Sequence, residues 1–336
     1  MKINCLLISA GLLIISCNTM KETKTIGSIE RIDAAVNDII SEKATIEVLA
    51  EGYDWSEGPI WVDSQKMLLF SDVPKNTIYK WTEKNGAEAY LSPSGYTGSE
   101  PTQSKEPGSN GLTLDNEGRL ILCQHGDRRL ARLDASFDQP KAAFVSLADR
   151  YDGKRFNSPN DVVCRKNGDL FFTDPPYGLP LQNESDPAKE IPFQGVYKVS
   201  ADGKLTLLVD SLTRPNGLAF TPDEKTLIVA NSDPDKAIWY AFDITANDSL
   251  VNQRIFYNAT AEAKAENNGL PDGLKIDRQG NVFATGPGGV WIFNKEGKVL
   301  GKIRTPVPTA NCAFADGEKT LFLTSDNYLL RVKLRE

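Results

Sequence analysis

Internal repetition constrains this chain more than any other feature. A polar opening residue, usually followed by Gly, leads into a short apolar strand; a turn rich in Asp, Gly or Lys comes next, then a second apolar strand. The copies are Glu57-Gly58-Pro59-Ile60-Trp61 before MLLFSD, Asn110-Gly111-Leu112-Thr113-Leu114 before RLILCQHG, and Asn160-Asp161-Val162-Val163 before DLFFTDPP. The others are Asn216-Gly217-Leu218-Ala219-Phe220 before TLIVANSD, Asp272-Gly273-Leu274-Lys275-Ile276 before NVFATGPGG, and Asn311-Cys312-Ala313-Phe314 before TLFLTSD. Successive opening residues stand 53, 50, 56, 56 and 39 positions apart. Six copies of short strands with Gly/Asp turns at this spacing predict an all-β fold, a six-bladed β-propeller, rather than a sandwich.

A third strand follows in each copy, at 77–81, 130–133, 195–199, 238–242, 289–293 and 329–334. The first five copies add a fourth, as at 142–147 and 204–209, whereas the sixth stops at the C-terminus. Residues 44–49 read as a strand with no local partner. Donated to the sixth blade, this N-terminal strand closes the ring and removes an exposed edge. Residues 29–40 carry an amphipathic pattern that predicts a short outer helix. The expected organisation is 1–16 as a signal peptide, 17–43 as a lipidated Cys and tether with the short helix, and 44–336 as one propeller.

The leader rests on Lys2, the weakly polar-to-apolar run 6–15, and Ile14-Ile15-Ser16-Cys17, which resembles a bacterial lipobox. The run is too short to span a bilayer and fits a secretory segment. The polar stretch 18–27 follows as a tether would. The expectation is an exported lipoprotein, periplasmic or at the cell surface, held to the membrane by lipid on Cys17; an ordinary signal peptide cut nearby is the alternative. Cys123, Cys164 and Cys312 are scattered and read as buried thiols.

Charge and histidine content narrow the chemistry. A net charge of −7 disfavours nucleic acid. The single histidine, His125, excludes a His-rich zinc site and an H-E-x-x-H protease. The six opening residues, Glu57, Asn110, Asn160, Asn216, Asp272 and Asn311, fall in one frame. In a propeller that frame lines the central channel, gathering two carboxylates and four amides. Two close carboxylates repel unless a cation or proton neutralises them. All-oxygen donors suit a hard ion, Ca²⁺ first, with Mg²⁺, Mn²⁺ or Zn²⁺ as alternatives. The opposing reading, that Asn-Gly and Asp-Gly merely form turns, leaves Glu57 unexplained.

At these residues the sequence resembles the senescence marker protein / gluconolactonase / luciferin-regenerating enzyme family, which includes regucalcin. The motifs are Trp55-Ser56-Glu57-Gly58-Pro59, Arg155-Phe156-Asn157-Ser158-Pro159-Asn160-Asp161, Thr173-Asp174-Pro175-Pro176-Tyr177-Gly178, Arg214-Pro215-Asn216-Gly217-Leu218 and Pro271-Asp272-Gly273. Gln124-His125-Gly126-Asp127-Arg128-Arg129 is similar to bacterial gluconolactonases in particular. The resemblance implies one divalent cation in the channel, metal ligation by Glu57, Asn216 and Asp272, and a substrate or metal contact at Asn160. It makes Asp272 the acid/base. Regucalcin-like members place an Arg two residues before that Asn, whereas Arg155 stands five before Asn160; Arg155 remains a candidate for substrate.

The implied chemistry is hydrolysis of a sugar lactone, with the cation polarising the carbonyl. The nucleophile is water deprotonated by Asp272 or hydroxide on the cation. His125 sits where a loop overhangs the channel, either donating to substrate or satisfied by backbone; as a participant it predicts an activity change near pH 6.5. Tyr177 and Asn110 are substrate contacts or loop packing. Loops 93–109 and 180–194 are long enough to act as a lid. A phosphotriesterase on the same ring and a non-catalytic ligand-binding propeller are the other readings, and no protein partner is implied.

Overall fold

The computed structural model describes residues 23–266 and 268–334, so the leader and Cys17 lie outside the described residues. Among the described residues, six antiparallel sheets of four or five strands succeed one another along the chain. Their first strands are Ser56–Val62, Ser109–Leu114, Val162–Cys164, Pro215–Phe220, Leu274–Ile276 and Asn311–Ala315. Each pairs with the next strand in sequence: Met67–Asp72, Leu120–Gln124, Leu170–Asp174, Thr226–Asp233, Val282–Gly286 and Thr320–Ser325. The fold is the six-bladed propeller that the repeats predict.

The apolar runs of the second strands have a direct cause. In Met67–Asp72, Met67 and Leu69 pack with Leu120 and Leu122 of blade two. Leu68 and Phe70, on the opposite face, pack with Phe322 and Leu329 of blade six. Phe171 likewise faces blade four, while Leu170 and Phe172 face blade two. Side chains alternate between faces, and here both faces are covered, so MLLF and LFF read as continuous hydrophobic runs instead of alternating ones. Six buried clusters result, one at each blade–blade interface. Each fully buried Leu or Phe contributes about 1.5–3 kcal/mol, so stability is spread around the ring.

Closure is by an N-terminal strand. Ile46–Glu51 pairs antiparallel with Tyr328–Lys333 as the outer strand of blade six. Arg331, on that last strand, meets Glu47 at 2.5 Å and Glu83 of blade one at 2.6 Å. The expected outer helix over 29–40 is corrected. Ser28–Arg31 is instead a fifth strand on blade five, paired with Val299–Arg304, and only Ala34–Asp38 turns, as a 3₁₀ helix. Val36, Ile39 and Ile40 are buried in the cluster between blades five and six. The segment from Ser28 onward is therefore built into the propeller, not a free tether. A short α-helix, Thr260–Glu266, links blades four and five.

Candidate functional site

Backbone irregularity aims the opening residues. In blade one, Glu57 pairs with Ser71 but Ile60 pairs with Leu69, so one extra residue is inserted after Glu57. Blade two shows the same shift between Ser109 and Leu112, and blade four between Pro215 and Leu218. Such bulges bend the strand and redirect a side chain. In blades three and five, Asn160 and Asp272 precede the ladder, their amides bound to the Thr173 and Thr285 carbonyls. Blade six differs: Asn311 pairs with Thr324 in regular register.

The glycines that follow are not turn formers. A Cβ on Gly217 would lie 2.3 Å from the Asp272 carbonyl oxygen, and one on Gly58 would lie 2.0 Å from that of Asn110. Each lets the next blade's opening segment approach. Hydroxyls of the second strands fasten these approaches: Ser71 Oγ donates to the Asn110 carbonyl at 3.0 Å and Thr173 Oγ1 to that of Asn216 at 2.8 Å.

Five of the six opening residues converge on one cavity of about 540 Å³: Glu57, Asn110, Asn160, Asn216 and Asp272 line it with Trp55, Glu106, Tyr177, Gln182 and Arg214. Asn311 does not belong to it. Its amide donates to Asp161 Oδ2 at 3.4 Å and its oxygen accepts from Lys275 Nζ at 3.3 Å. Glu57 is buried, with one oxygen accepting from the Gly58 amide at 3.0 Å. Asp272 Oδ1 and Asn110 Oδ1 are buried without a hydrogen-bond partner.

Burial pushes the Glu57 and Asp272 carboxyls upward, and nearby carboxylates add to it: Asp161 and Glu106 act on Glu57, and Glu57, Asp161 and Glu106 act on Asp272. Among the described residues no Lys or Arg forms an ion pair with either, and no three His, Cys, Asp or Glu side chains gather as a metal cluster. The donor set is therefore two carboxylates completed by amide oxygens. Orphaned oxygen acceptors beside an uncompensated carboxylate pair fit a hard divalent cation.

Other predicted residues are placed differently. His125 is fully buried and does not line the cavity: Nε2 is 3.5 Å from Asn160 Nδ2 and Nδ1 is 3.8 Å from Glu106 Oε2. Burial pushes its pKa down to about 3, so the imidazole is neutral and the expected change near pH 6.5 has no source in it. Arg155 also lies outside the cavity lining, its guanidinium donating to the Asp127 carbonyl at 3.3 Å. Tyr177 does line the cavity, with its hydroxyl donating to the Ser232 carbonyl at 3.1 Å. The Asn157–Asp161 and Thr173–Gly178 motifs interlock through Asp174, which accepts from the Asn157 and Ser158 amides at 2.8 and 2.7 Å. Cys123 and Cys312 are buried free thiols; Cys164 is free and half-buried.

Sequence reasoning missed Glu106, Gln182 and Arg214. Arg214 had a signal, standing two residues before Asn216. Glu106 and Gln182 had none beyond their loops, which meet where Gln182 Nε2 donates to Glu106 Oε1 at 2.9 Å.

Comparison with known proteins identifies relatives in sequence and in fold. A sequence model of the SMP-30/Gluconolactonase/LRE-like region matches residues 55–327. A gluconolactonase of Zymomonas mobilis is 40% identical over 315 residues, covering 93% of this chain and 87% of that protein. Among solved structures, a gluconolactonase from Xanthomonas campestris superposes with a TM-score of 0.78 at 30% identity, covering 94% of this chain and 99% of its own. A calcium-binding regucalcin of Agrobacterium tumefaciens shares the fold, with a TM-score of 0.65 at 16% identity over 86% of this chain and 94% of that one.

Proposed function

The chain belongs to the SMP-30/gluconolactonase/LRE-like family, and we propose that its cavity opens a sugar lactone with Asp272 as general base. It is a gluconolactonase-like lactone hydrolase. In this reading one divalent cation, Ca²⁺ before Mg²⁺, Mn²⁺ or Zn²⁺, is held by Glu57, Asn160, Asn216 and Asp272. The observation that carries it is the placing of buried Glu57 and half-buried Asp272 on one cavity wall, with Asp272 Oδ1 buried and without a hydrogen-bond partner.

When bound, such a cation polarises the lactone carbonyl and stabilises the oxyanion of addition. The chain's own residues supply the rest. Asp272 accepts the proton of the attacking water through Oδ1, an atom that no other hydrogen bond occupies. Asn110, Asn160 and Asn216 offer amide donors and acceptors to ring hydroxyls. Tyr177, its hydrogen committed to Ser232, presents an acceptor oxygen and an apolar ring. A cavity of about 540 Å³ is the size for a monosaccharide-scale ligand.

The test is a pair of variants assayed on a sugar lactone. Asp272→Asn should lower the rate at least about a hundredfold and weaken cation binding. Glu57→Gln should lose cation affinity and recover partly with excess cation. Wild-type turnover in both variants refutes the assignment. An organophosphate run in parallel separates a phosphotriesterase, and cation binding without lactone turnover would mark a non-catalytic propeller. We propose further that Cys17 carries lipid and holds the protein at a periplasmic or cell-surface membrane face. Cys17→Ser should then leave the membrane fraction or remain unprocessed, and equal partitioning of both forms rejects the anchor.

A further inference from the structure

A third carboxylate enters the cavity from a place no repeat marks. Glu106 lies on the connection between Gly86–Leu91 and Ser109–Leu114, four residues before Asn110, and shares the cavity wall with Glu57, Asn160 and Asp272. Its position is fixed. Oε1 accepts from Gln182 Nε2 at 2.9 Å, and that nitrogen also donates to the Tyr177 carbonyl at 3.0 Å. Its own amide donates to Ser104 Oγ at 3.1 Å. Oε2 is 3.8 Å from His125 Nδ1, an atom with no hydrogen-bond partner.

The groups facing Glu106 are neutral or negative. They are His125 from blade two, Gln182 from the blade-three loop, Glu57 from blade one and Asp272 from blade five; Arg214, across the cavity, is held by Glu184 at 2.6 Å. Among the described residues no Lys or Arg pairs with Glu106. The ring topology adds direction. Blade two stands half a turn from blade five, so Glu106 and Asp272 address the cavity from opposite sides.

We propose that Glu106 is the general acid of ring opening, delivering its proton to the lactone ring oxygen across the cavity from Asp272. The proposal rests on the lactone-hydrolase reading. Water adds its oxygen to the carbonyl carbon while Asp272 takes one water proton. Collapse of the adduct breaks the bond between that carbon and the ring oxygen, and the departing oxygen takes the Glu106 proton. Asp272 then loses its proton to solvent, Glu106 regains one, and the product acid ionises, so one proton is released per turnover. Burial raises the Glu106 carboxyl to about 7, which keeps a protonated fraction at neutral pH.

The experiment compares leaving groups in the full, cation-loaded protein. D-glucono-1,5-lactone expels an alkoxide that needs a proton; dihydrocoumarin expels a phenolate, whose conjugate acid titrates near about 10 as tyrosine does. Glu106→Gln keeps the shape and an oxygen for Gln182. It should lower kcat on the sugar lactone by about a hundredfold and on the aryl lactone by a few-fold at most. The alkaline limb of the wild-type kcat profile should vanish in the variant. Equal losses on both lactones, or none on either, overturn the proposal. If the wild type opens only the sugar lactone, persistence of the limb in Glu106→Gln overturns it. A wild type inactive on both lactones refutes the lactone-hydrolase reading, and the proposal falls with it.

Discussion

Gly217→Ala tests whether the glycines of the channel exist for close approach and not for turning. The added Cβ would fall 2.3 Å from the Asp272 carbonyl oxygen and 2.6 Å from Gly273 Cα, both backbone atoms of the neighbouring blade. Ordinary contact begins near 3.4 Å, so the Pro271–Gly273 segment must retreat by about 1 Å. A displacement of that size at a reacting group costs about a hundredfold in rate. Overpacking of this kind costs about 1–3 kcal/mol of stability. At about 2.1 cal/mol/K of unfolding entropy per residue, that is a fall in Tm of about 1–4 °C for this chain of 336 residues. Gly203→Ala is the control: its φ of +86° strains an alanine, but nothing lies within 4 Å of the new atom. It should lose about 1 kcal/mol and no activity. The assay is kcat on a sugar lactone beside a thermal melt for both variants. Gly217→Ala with wild-type turnover, or with the same rate loss as Gly203→Ala, refutes the close-approach argument.

Two further outcomes follow from buried titratable groups. Glu106 is raised from 4.5 to about 7 in the fold, so between those values the native state holds a proton that the unfolded chain releases. Stability should therefore fall as pH rises through that window, by about 1.4 kcal/mol per unit and about 3 kcal/mol in all. Urea midpoints at pH 5 and 8 in chelator should show a wild-type loss that is smaller by this amount in Glu106→Gln; equal slopes refute it. For His125→Gln, whose imidazole is neutral throughout, the rate profile should keep every limb of the wild type. A limb near pH 6.5 that disappears in the variant would show that the ring charges during turnover.

The blades were legible because burial on both faces writes unbroken apolar runs at a fixed period. The closing strand was legible for the complementary reason, an apolar segment with no local partner. The first strand was not. Residues 29–40 place Ile and Val at spacings that suit a helix, and a four-residue edge strand is too short to show alternation. What decides Ser28–Arg31 is the open edge of Val299–Arg304, a partner some 270 residues away. In the site, the frame exposed the residues that a bulge, or a place just ahead of the ladder, turns toward the cavity. It included Asn311 because sequence spacing does not distinguish a bulged strand from a regular one. Arg155 was drawn in by its motif, although that motif's work is largely to fold the Asn157–Asp161 loop around Asp174. Glu106 and Gln182 come from loops outside any repeat, where position is set only by the meeting of two insertions.

The electrostatic design of the channel also bears on why three carboxylates coexist there. Lys275 is the cation closest in sequence to Asp272, yet its Nζ is bonded to Asn311 Oδ1, beside Asp161. Its field lowers Asp161, partly offsetting the burial that raises it. Among the described residues no cation gives Glu57 or Asp272 such relief, and Glu106 raises both of them further. Lys275 thus offsets Asp161 only in part, and Asp161 still adds to the negative field on Glu57 and Asp272. A buried like-charge pair costs stability, and a ring held by six separate interfaces can bear that cost without losing its shape. The uncompensated charge is what a bound cation would relieve. In the proposed reading, oxygens of Glu57, Asn160, Asn216 and Asp272 would hold that cation.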